Sequence, residues 1–332
     1  MRTMSLIRKA LSVGTGGNIT DYLPAPMAKK IVDYIREISL MRRLLKSFIQ
    51  RSRTWKKATR ATGGSAYHVG DGTEVTQTNF TSGSVTWTAK KLMVYFTVDE
   101  EAFEDSLPDL MTQVLDDGAD ALAEAEENAI LNGDDGHTAT AATVAAATET
   151  NWFTQDARLM FDGIFPVATS ASASDNVDAA SGTFDKEMVN TALYNLGKYG
   201  RNKSKLIGLL PSSQASNIRS NSDWHSAATT GLALAAFISG MGSAGEADGL
   251  VTTIYGIRFF ETPQVSSANE DKIAILDKSS PEVGDRRKIK LATDNVVESD
   301  QRKFVMSERI SFNYNNKAQL TAIDNLSTTI AS

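Results

Sequence analysis

The chain has 332 residues, 41% hydrophobic and 22% charged, enough for two ordinary domains or one large one with extensions. It contains no cysteine, which excludes a disulfide framework, a thiolate metal site and a cysteine nucleophile. The net charge of −6 hides an asymmetry: residues 1–91 hold 16 basic and 5 acidic side chains, residues 92–157 hold 16 acidic and none basic, and residues 158–332 hold 18 and 19.

The first 20 residues are basic and then Gly-rich, and "GTGGN" (Gly14 to Asn18) reads as a flexible arm because no strand precedes it. The N-terminus lacks the apolar core of a signal peptide. From Met27, the apolar residues Met27, Ile31, Ile35, Ile38, Met41, Leu45 and Phe48 recur at three or four, which predicts an amphipathic helix with a basic reverse side. Such an outlying helix is marginal alone, so its apolar stripe needs a partner surface.

The period then changes. "RTWKKATRATGGSAYHV" and "SVTWTAKKLMVYFTV" flank the polar, turn-rich "GDGTEVTQTNFTSGS", and together predict a long two-stranded ribbon. In the second strand Leu92, Val94, Phe96 and Val98 share one face, with Met93, Tyr95 and Thr97 on the other. A two-stranded ribbon is barely stable in water. It must lie on another part of this chain or on a neighbouring copy.

"SLPDLMTQVLDDGADALAEAEENAILNGDDG" (Ser106 to Gly136) predicts a helix over 107–132, capped by Ser106 and stopped by Gly133. Its apolar stripe is Leu107, Met111, Val114 or Leu115, Gly118, Leu122, Ala125 and Ala129, and its exposed side is acidic. Like charges four apart, Asp116 with Asp120 and Asp120 with Glu124, cost an isolated helix about 0.2–0.5 kcal/mol each. Either solvent screens this rod or something basic lies near it. Gly118 and the alanines predict close approach of another backbone.

Residues 134–182 are Ala/Thr/Ser-rich and embed a short packed segment, "LMFDGIFPVA". A second unit follows: a helix with a Gly stop in "TFDKEMVNTALYNLGKYG", a buried strand "KLIGLLP", a short helix "SSQASNIRSN", a strand–turn–strand "VTTIYGIRFFETP", and a strand "DKIAILD". The longest apolar run, Gly231 to Gly242, is twelve residues, short of the about 20 needed to span a bilayer. The tail alternates through several strands. Helices and strands interleave unevenly, so the fold class is α+β.

Reactive constellations are scarce. His68, His137 and His225 sit in polar or Gly-flanked contexts without metal-ligand spacing and read as solvated loop residues. There is no nucleophile elbow and no Walker loop. Glu100, Glu101, Glu104 and Asp105 read as a solvated helix face rather than an acid–base pair. No catalytic residue, cofactor site or metal site is expected. The basic first 91 residues include Trp55, Tyr67, Phe80 and Trp87. They admit weak, non-specific contact with a polyanion, but no reader motif appears.

In order, these pieces resemble the major capsid protein of tailed bacteriophages, the Hong Kong ninety-seven-like fold, from about Leu23 to Ile323. "LPAPMAKKIVDYIREISLMRRLLKSF" resembles its N-terminal arm and "RTWKKAT…SVTWTAKKL" its extended loop. The most specific match is "KKLMVYFTVDEEAFEDSLPDLMTQVLDDGADALAEAEENAILNGDDG": strand, short acidic helix, spine helix, then "NGD". "FDKEMVNTALYNL…KLIGLLP" resembles the opening of the axial domain, and "ESDQRKFVMSERISFNYNNKAQLTAI" the closing strands of the peripheral domain.

The resemblance implies an arm over 1–50, an extended β-ribbon loop over 51–91, and a peripheral domain over 92–183 that holds the spine helix. It implies an axial domain over 184–285 and closing strands over 286–332. It also implies pentamers and hexamers that form an icosahedral head around double-stranded DNA. The expected partners are sibling copies, a portal protein and, since the arm begins within about two dozen residues of Met1, a separate scaffolding protein; assembly is expected in the host cytoplasm. Some relatives crosslink a loop lysine to a neighbour's asparagine. Lys56, Lys57, Lys90 and Lys91 could supply the loop side, but nothing marks the asparagine and no crosslink is expected. The expected intersubunit contacts pair Arg53, Lys56, Lys57, Arg60, Lys90 and Lys91 of one copy with Asp116, Asp117, Asp120 and Glu124 of another. The alternatives are an encapsulin-like bacterial compartment shell and a soluble hydrolase with an unrecognised carboxylate site; the spine helix after a ribbon argues against a tail or head-decoration protein.

Overall fold

The computed structural model describes residues 39–62, 64–75, 77–79, 81–101, 110–139, 152–220 and 249–328. The chain divides into two compact units. One holds the described residues of Ile38–Met93, Ala121–Lys290 and Ser307–Ser332; the other holds those of Val94–Asp120 and Leu291–Met306.

In the larger unit the predicted helix stops early. Helix α1 spans Leu40–Leu44, and strand β1, Lys46–Ile49, follows it. The part of the expected helix before Ser39 lies outside the described residues. Leu45 and Phe48 keep the apolar period, yet β1 pairs in parallel with β10 (Pro281–Val296), Lys46 opposite Glu282 and Phe48 opposite Gly284. The ladder gives this backbone partners that outweigh a short helix end, a tertiary override of a local preference.

Strands β2 (Thr54–Thr62) and β3 (Thr81–Thr88) form the expected antiparallel ribbon, with Trp55 opposite Trp87 and an irregularity between Arg60 and Thr62. The strand predicted as continuous from Ser84 breaks at Ala89, whose N–H donates to the Arg53 carbonyl at 2.8 Å. Before Ala89 the chain belongs to the ribbon. After it, β4 (Lys90–Asp99) joins a four-stranded sheet of order β1-β10-β11-β4, where β11 is Gln301–Tyr314. Helix α2, Leu110–Asn132, is the long acidic helix; its expected Ser106 cap lies outside the described residues. It ends at Gly133 as predicted, with α3, Ile164–Ala168, in the packed "LMFDGIFPVA" segment. The Gly163 N–H donates to the Gly133 carbonyl at 2.6 Å.

A six-stranded sheet fills the second half of this unit, in the order β5-β12-β9-β6-β8-β7. Its strands are β5 (Val177–Asp178), β6 (Leu206–Pro211), β7 (Leu250–Ile254), β8 (Ile257–Thr262), β9 (Ile273–Asp277) and β12 (Leu320–Asp324). The β7–β8 turn places both Tyr255 (φ 50°) and Gly256 (φ 83°) in the left-handed region. That is the conformation two-residue hairpins select to match strand twist. Helices α4 (Lys186–Asn195) and α5 (Ser212–Ser220) give Val189, Ala192, Ala215 and Ile218 to the core with Phe184, Phe259, Ile275 and Ile323.

All six residues of β6 are buried, so it reads as a continuous apolar run rather than an alternation. Gly208 is required there: a Cβ would collide with the Phe259 ring. Because Phe259 is fully buried against Phe184, with ring centroids 6.1 Å apart, the ring cannot move away freely. Gly208→Ala is expected to cost about 1–3 kcal/mol by overpacking, read as a lower urea midpoint at unchanged slope.

In the smaller unit Gly118 of α2 also sits at a close approach, but side chains rather than the expected backbone make it: a Cβ would collide with Met306, and Phe96 closes the same space. The turn between β10 and β11 leaves Val297 91% exposed and holds Asp300 at φ 51°. Arg302 NH2 donates to Glu100 Oε1 at 2.5 Å and Gln301 Nε2 to Asp99 Oδ1 at 2.8 Å.

Candidate assembly interface

The ribbon is anchored at its base, and beyond it no other strand among the described residues pairs with it. Trp87 is fully buried, edge-on to Phe48 at 6.0 Å. Its Nε1 donates to the Glu282 carbonyl at 3.3 Å, and its own carbonyl accepts from Gln50 Nε2 at 3.3 Å. Lys57 Nζ lies 5.8 Å from the Trp87 ring and 3.3 Å from the Glu282 carboxylate, which Lys46 approaches at 3.4 Å. Burial works against ionisation of Glu282, but the Asn315 hydrogen bond and the two lysines hold its carboxyl below its ordinary value.

Past this base, among the described residues, β2 and β3 pair only with each other. The polar tip is exposed, with Tyr67 and Val75 presented to solvent, and Trp55 is exposed on the ribbon itself.

The charged residues singled out from the sequence fall into distinct settings. Arg53, Lys56 and Lys91 are exposed and make no ion pair among the described residues. Lys57 is spent on Glu282, as above. Lys90 donates to the Leu159 carbonyl at 3.2 Å and lies 4.0 Å from Asp135. The side chains of Arg60 and Asp116 lie outside the described ones. Asp117 is exposed, while Asp120 and Glu124 are half-buried and engaged.

The acidic helix is not acidic only on its exposed side. Glu126 and Glu127 face inward, 4% and 5% exposed. Arg42 from α1 clamps Glu126 with both prongs, Nε to Oε1 at 2.6 Å and NH2 to Oε2 at 3.0 Å, and gives NH1 to Asp285 Oδ1 at 2.5 Å. Glu127 accepts from the Leu40 N–H at 3.2 Å. So α2 binds α1 through its own carboxylates, which periodicity could not reveal because the partners are distant in sequence. Burial raises the Glu126 carboxyl despite Arg42. Burial opposes protonation of Arg42, but Glu126 and Asp285 keep it charged.

Glu308 of β11 completes the cluster, and its Oε1 is enclosed without a hydrogen-bond partner among the described residues. Burial, then Glu126, pushes its carboxyl up to about 7, with Arg42 opposing and Asp285 adding. A carboxyl raised in the folded state contributes stability that is full below its unfolded value and is lost as pH rises through the folded one. The melting temperature is therefore expected to fall between pH 5 and pH 8. Glu308→Gln should remove most of that fall and add on the order of 2–3 kcal/mol at pH 8; a flat wild-type profile would contradict this.

Asp135 and Asp162 form a second carboxylate pair, beside a cavity of about 100 Å³ lined in part by Thr86, Thr88 and Asn313. Burial and the hydrogen bond to Asp162 raise the Asp135 carboxyl. Asp162 is held down, against burial, by Asp135 and by Lys317 at 3.3 Å. With Lys90 and Lys317 alongside, the pair is charge-balanced. Of the histidines, His68 is exposed and His225 lies outside the described residues. His137, expected in solvent, instead stacks on Trp152 at 4.2 Å, with Arg158 across the same ring at 4.5 Å. Among the described residues no acidic or histidine cluster has the arrangement of a metal site, and no helix is long and apolar enough to cross a membrane.

Known proteins place this arrangement. No curated protein matches the sequence. Among solved structures, the capsid of a native GTA particle aligns at a TM-score of 0.62 with 15% identity, over 87% of this chain and 90% of that one. A chain of Mycobacterium phage Adephagia aligns at 0.58 with 18% identity, over 96% of both. The mature capsid of bacteriophage PhiM1 aligns at 0.55 with 10% identity, over 87% of both. At these identities the likeness establishes the fold, which is Hong Kong ninety-seven-like. Residues 20–324 match the Phage capsid family, so the chain belongs to that family, and its role is that of a major capsid protein.

Proposed function

We propose that copies of this chain assemble as pentamers and hexamers into an icosahedral phage head around double-stranded DNA, each ribbon lying on a neighbour. The ribbon, which pairs with no other strand among the described residues and presents Tyr67 and Val75 to solvent beyond its base, carries this reading. The role is structural and needs no catalytic residue. Assembly takes place in the host cytoplasm with a separate scaffolding protein and a portal protein, and the inner surface touches DNA without reading its sequence. Within this reading the arm covers 1–50, the extended loop 51–91, the peripheral domain 92–183 and 286–332, and the axial domain 184–285.

Neighbouring copies meet through opposite charge, Arg53, Lys56, Arg60 and Lys91 against Asp116 and Asp117; Lys57, Lys90, Asp120 and Glu124, engaged within the subunit, contribute only where those contacts are exchanged. Each exposed pair contributes about 0–1 kcal/mol, so only repetition around a shell makes them matter. Negative-stain imaging of the expressed chain, with and without a co-expressed scaffold, is expected to show closed shells of uniform diameter. Monodisperse monomers under both conditions would defeat the proposal. Replacing Asp116, Asp117 and Asp120 with Asn is expected to lower shell yield and flatten its dependence on salt, since exposed pairs weaken as the screening length drops below about 8 Å. An unchanged salt titration would remove the electrostatic account and leave the capsid reading standing.

A further inference from the structure

The end of β1 and the adjoining strands enclose a concavity of about 390 Å³, lined by Ile49, Gln50, Arg51, Arg286, Arg287 and Arg309. Four arginines border it, and none makes an ion pair among the described residues. Their positions are built rather than accidental. Arg286 NH1 donates to the Arg51 carbonyl at 2.7 Å, and Arg287 NH2 to Ser307 Oγ at 2.6 Å. Gln50 is buried, its Oε1 accepting from Ser311 Oγ at 2.5 Å. The Nε atoms of Arg287 and Arg309 are enclosed with no hydrogen-bond partner among the described residues. Ile49 is 80% exposed at the same place.

Like charges held together with enclosed, unpaired donors are unfavourable in a lone subunit. A carboxylate relieves both costs, because the planar guanidinium fork takes it in a bidentate geometry. Glu308 cannot serve. It does not line the concavity and lies instead beside Glu126, Arg42 and Asp285.

We propose that this concavity is a docking seat for carboxylates of a second copy of the chain, supplied by its 92–157 segment. That segment carries 16 acidic residues and no basic one, and Asp117 on it is exposed. Ile49 adds an apolar contact beside the charges. A concavity of this size admits side chains, whereas a DNA duplex would touch only its rim. The inference rests on the capsid reading and adds Arg51, Arg286, Arg287 and Arg309 to the contacts that reading names.

The test uses the full chain with Arg286→Glu and Arg309→Glu together. Particle yield by sedimentation and negative stain is expected to fall about tenfold or more, as for a charge reversal in a desolvated contact, while far-UV circular dichroism of the subunit is unchanged. Adding Asp116→Arg and Asp117→Arg to the same chain is expected to recover particles. Normal yield from the arginine variant overturns the proposal. Should that variant misfold, cryo-electron microscopy of wild-type particles decides: a neighbour's carboxylate in the concavity supports the seat, and solvent, DNA phosphate or an acid of the same subunit there overturns it. Failure of the wild type to form any particle would instead count against the capsid reading itself.

Discussion

Trp87→Ala is expected to cost about 3–5 kcal/mol, the range for truncating a large, fully buried aromatic side chain. Three losses combine. The edge-on contact with Phe48 disappears. The Glu282 carbonyl loses the indole donor, and a cavity opens where β3 meets β10. The damage should concentrate in the ribbon, because Trp87 is its buried anchor, whereas Trp55 opposite it is exposed. Amide exchange across Thr54–Thr62 should accelerate about a hundredfold or more, at 1.36 kcal/mol per factor of ten, and shell yield should fall with it. Trp87→Phe keeps most of the apolar contact and loses only the indole hydrogen bond, so about 1 kcal/mol is expected. If Trp87→Ala leaves ribbon exchange at the wild-type rate, the anchor has been misidentified.

Arg42→Ala should be as severe, for a different reason. Removing one partner of a buried pair strands the other, at about 3–5 kcal/mol. Glu126 would lose both prongs of its clamp, and Asp285 and Glu308 would lose the cation that, among the described residues, opposes their mutual repulsion. The cluster would answer by taking up protons. Carboxyls raised in the folded state keep their stabilising effect at low pH and lose it as pH rises, so the defect should be smaller at pH 5 than at pH 8. Adding Glu126→Gln to Arg42→Met should recover much of the loss, because a neutral pair needs no counter-ion. Urea denaturation of the variants at the two pH values tests both signs, and equal losses at the two would contradict the buried-charge account.

The elements whose side chains report their own periodicity were legible. The acidic helix ends at Gly133, "KLIGLLP" is a fully buried strand, and "VTTIYGIRFFETP" turns at Tyr255 and Gly256, all as read from sequence. The ribbon was legible too, from alternation on both sides of a turn-rich tip. Where the reading departed from the structure, a distant segment decided. Phe48 fits a helical stripe, yet its backbone is captured by β10. Ala89 lies within an unbroken alternation, yet two different sheets claim its two sides.

The charged sites show the same division more sharply. Composition alone exposes the basic first segment beside the acidic second. It does not say that Glu126 turns inward to Arg42 across 84 positions, or that Asp285 reaches the same guanidinium across 243. Nor does it gather Arg51, Arg286, Arg287 and Arg309 around one concavity.

Helix and strand periods and turn chemistry act over a few residues, so the order of elements, and with it the capsid fold, is written locally in the chain. Which carboxylate meets which cation, and which of them is stripped of water, depends on the separation and burial of side chains, and these exist only once the sheet has brought remote strands together.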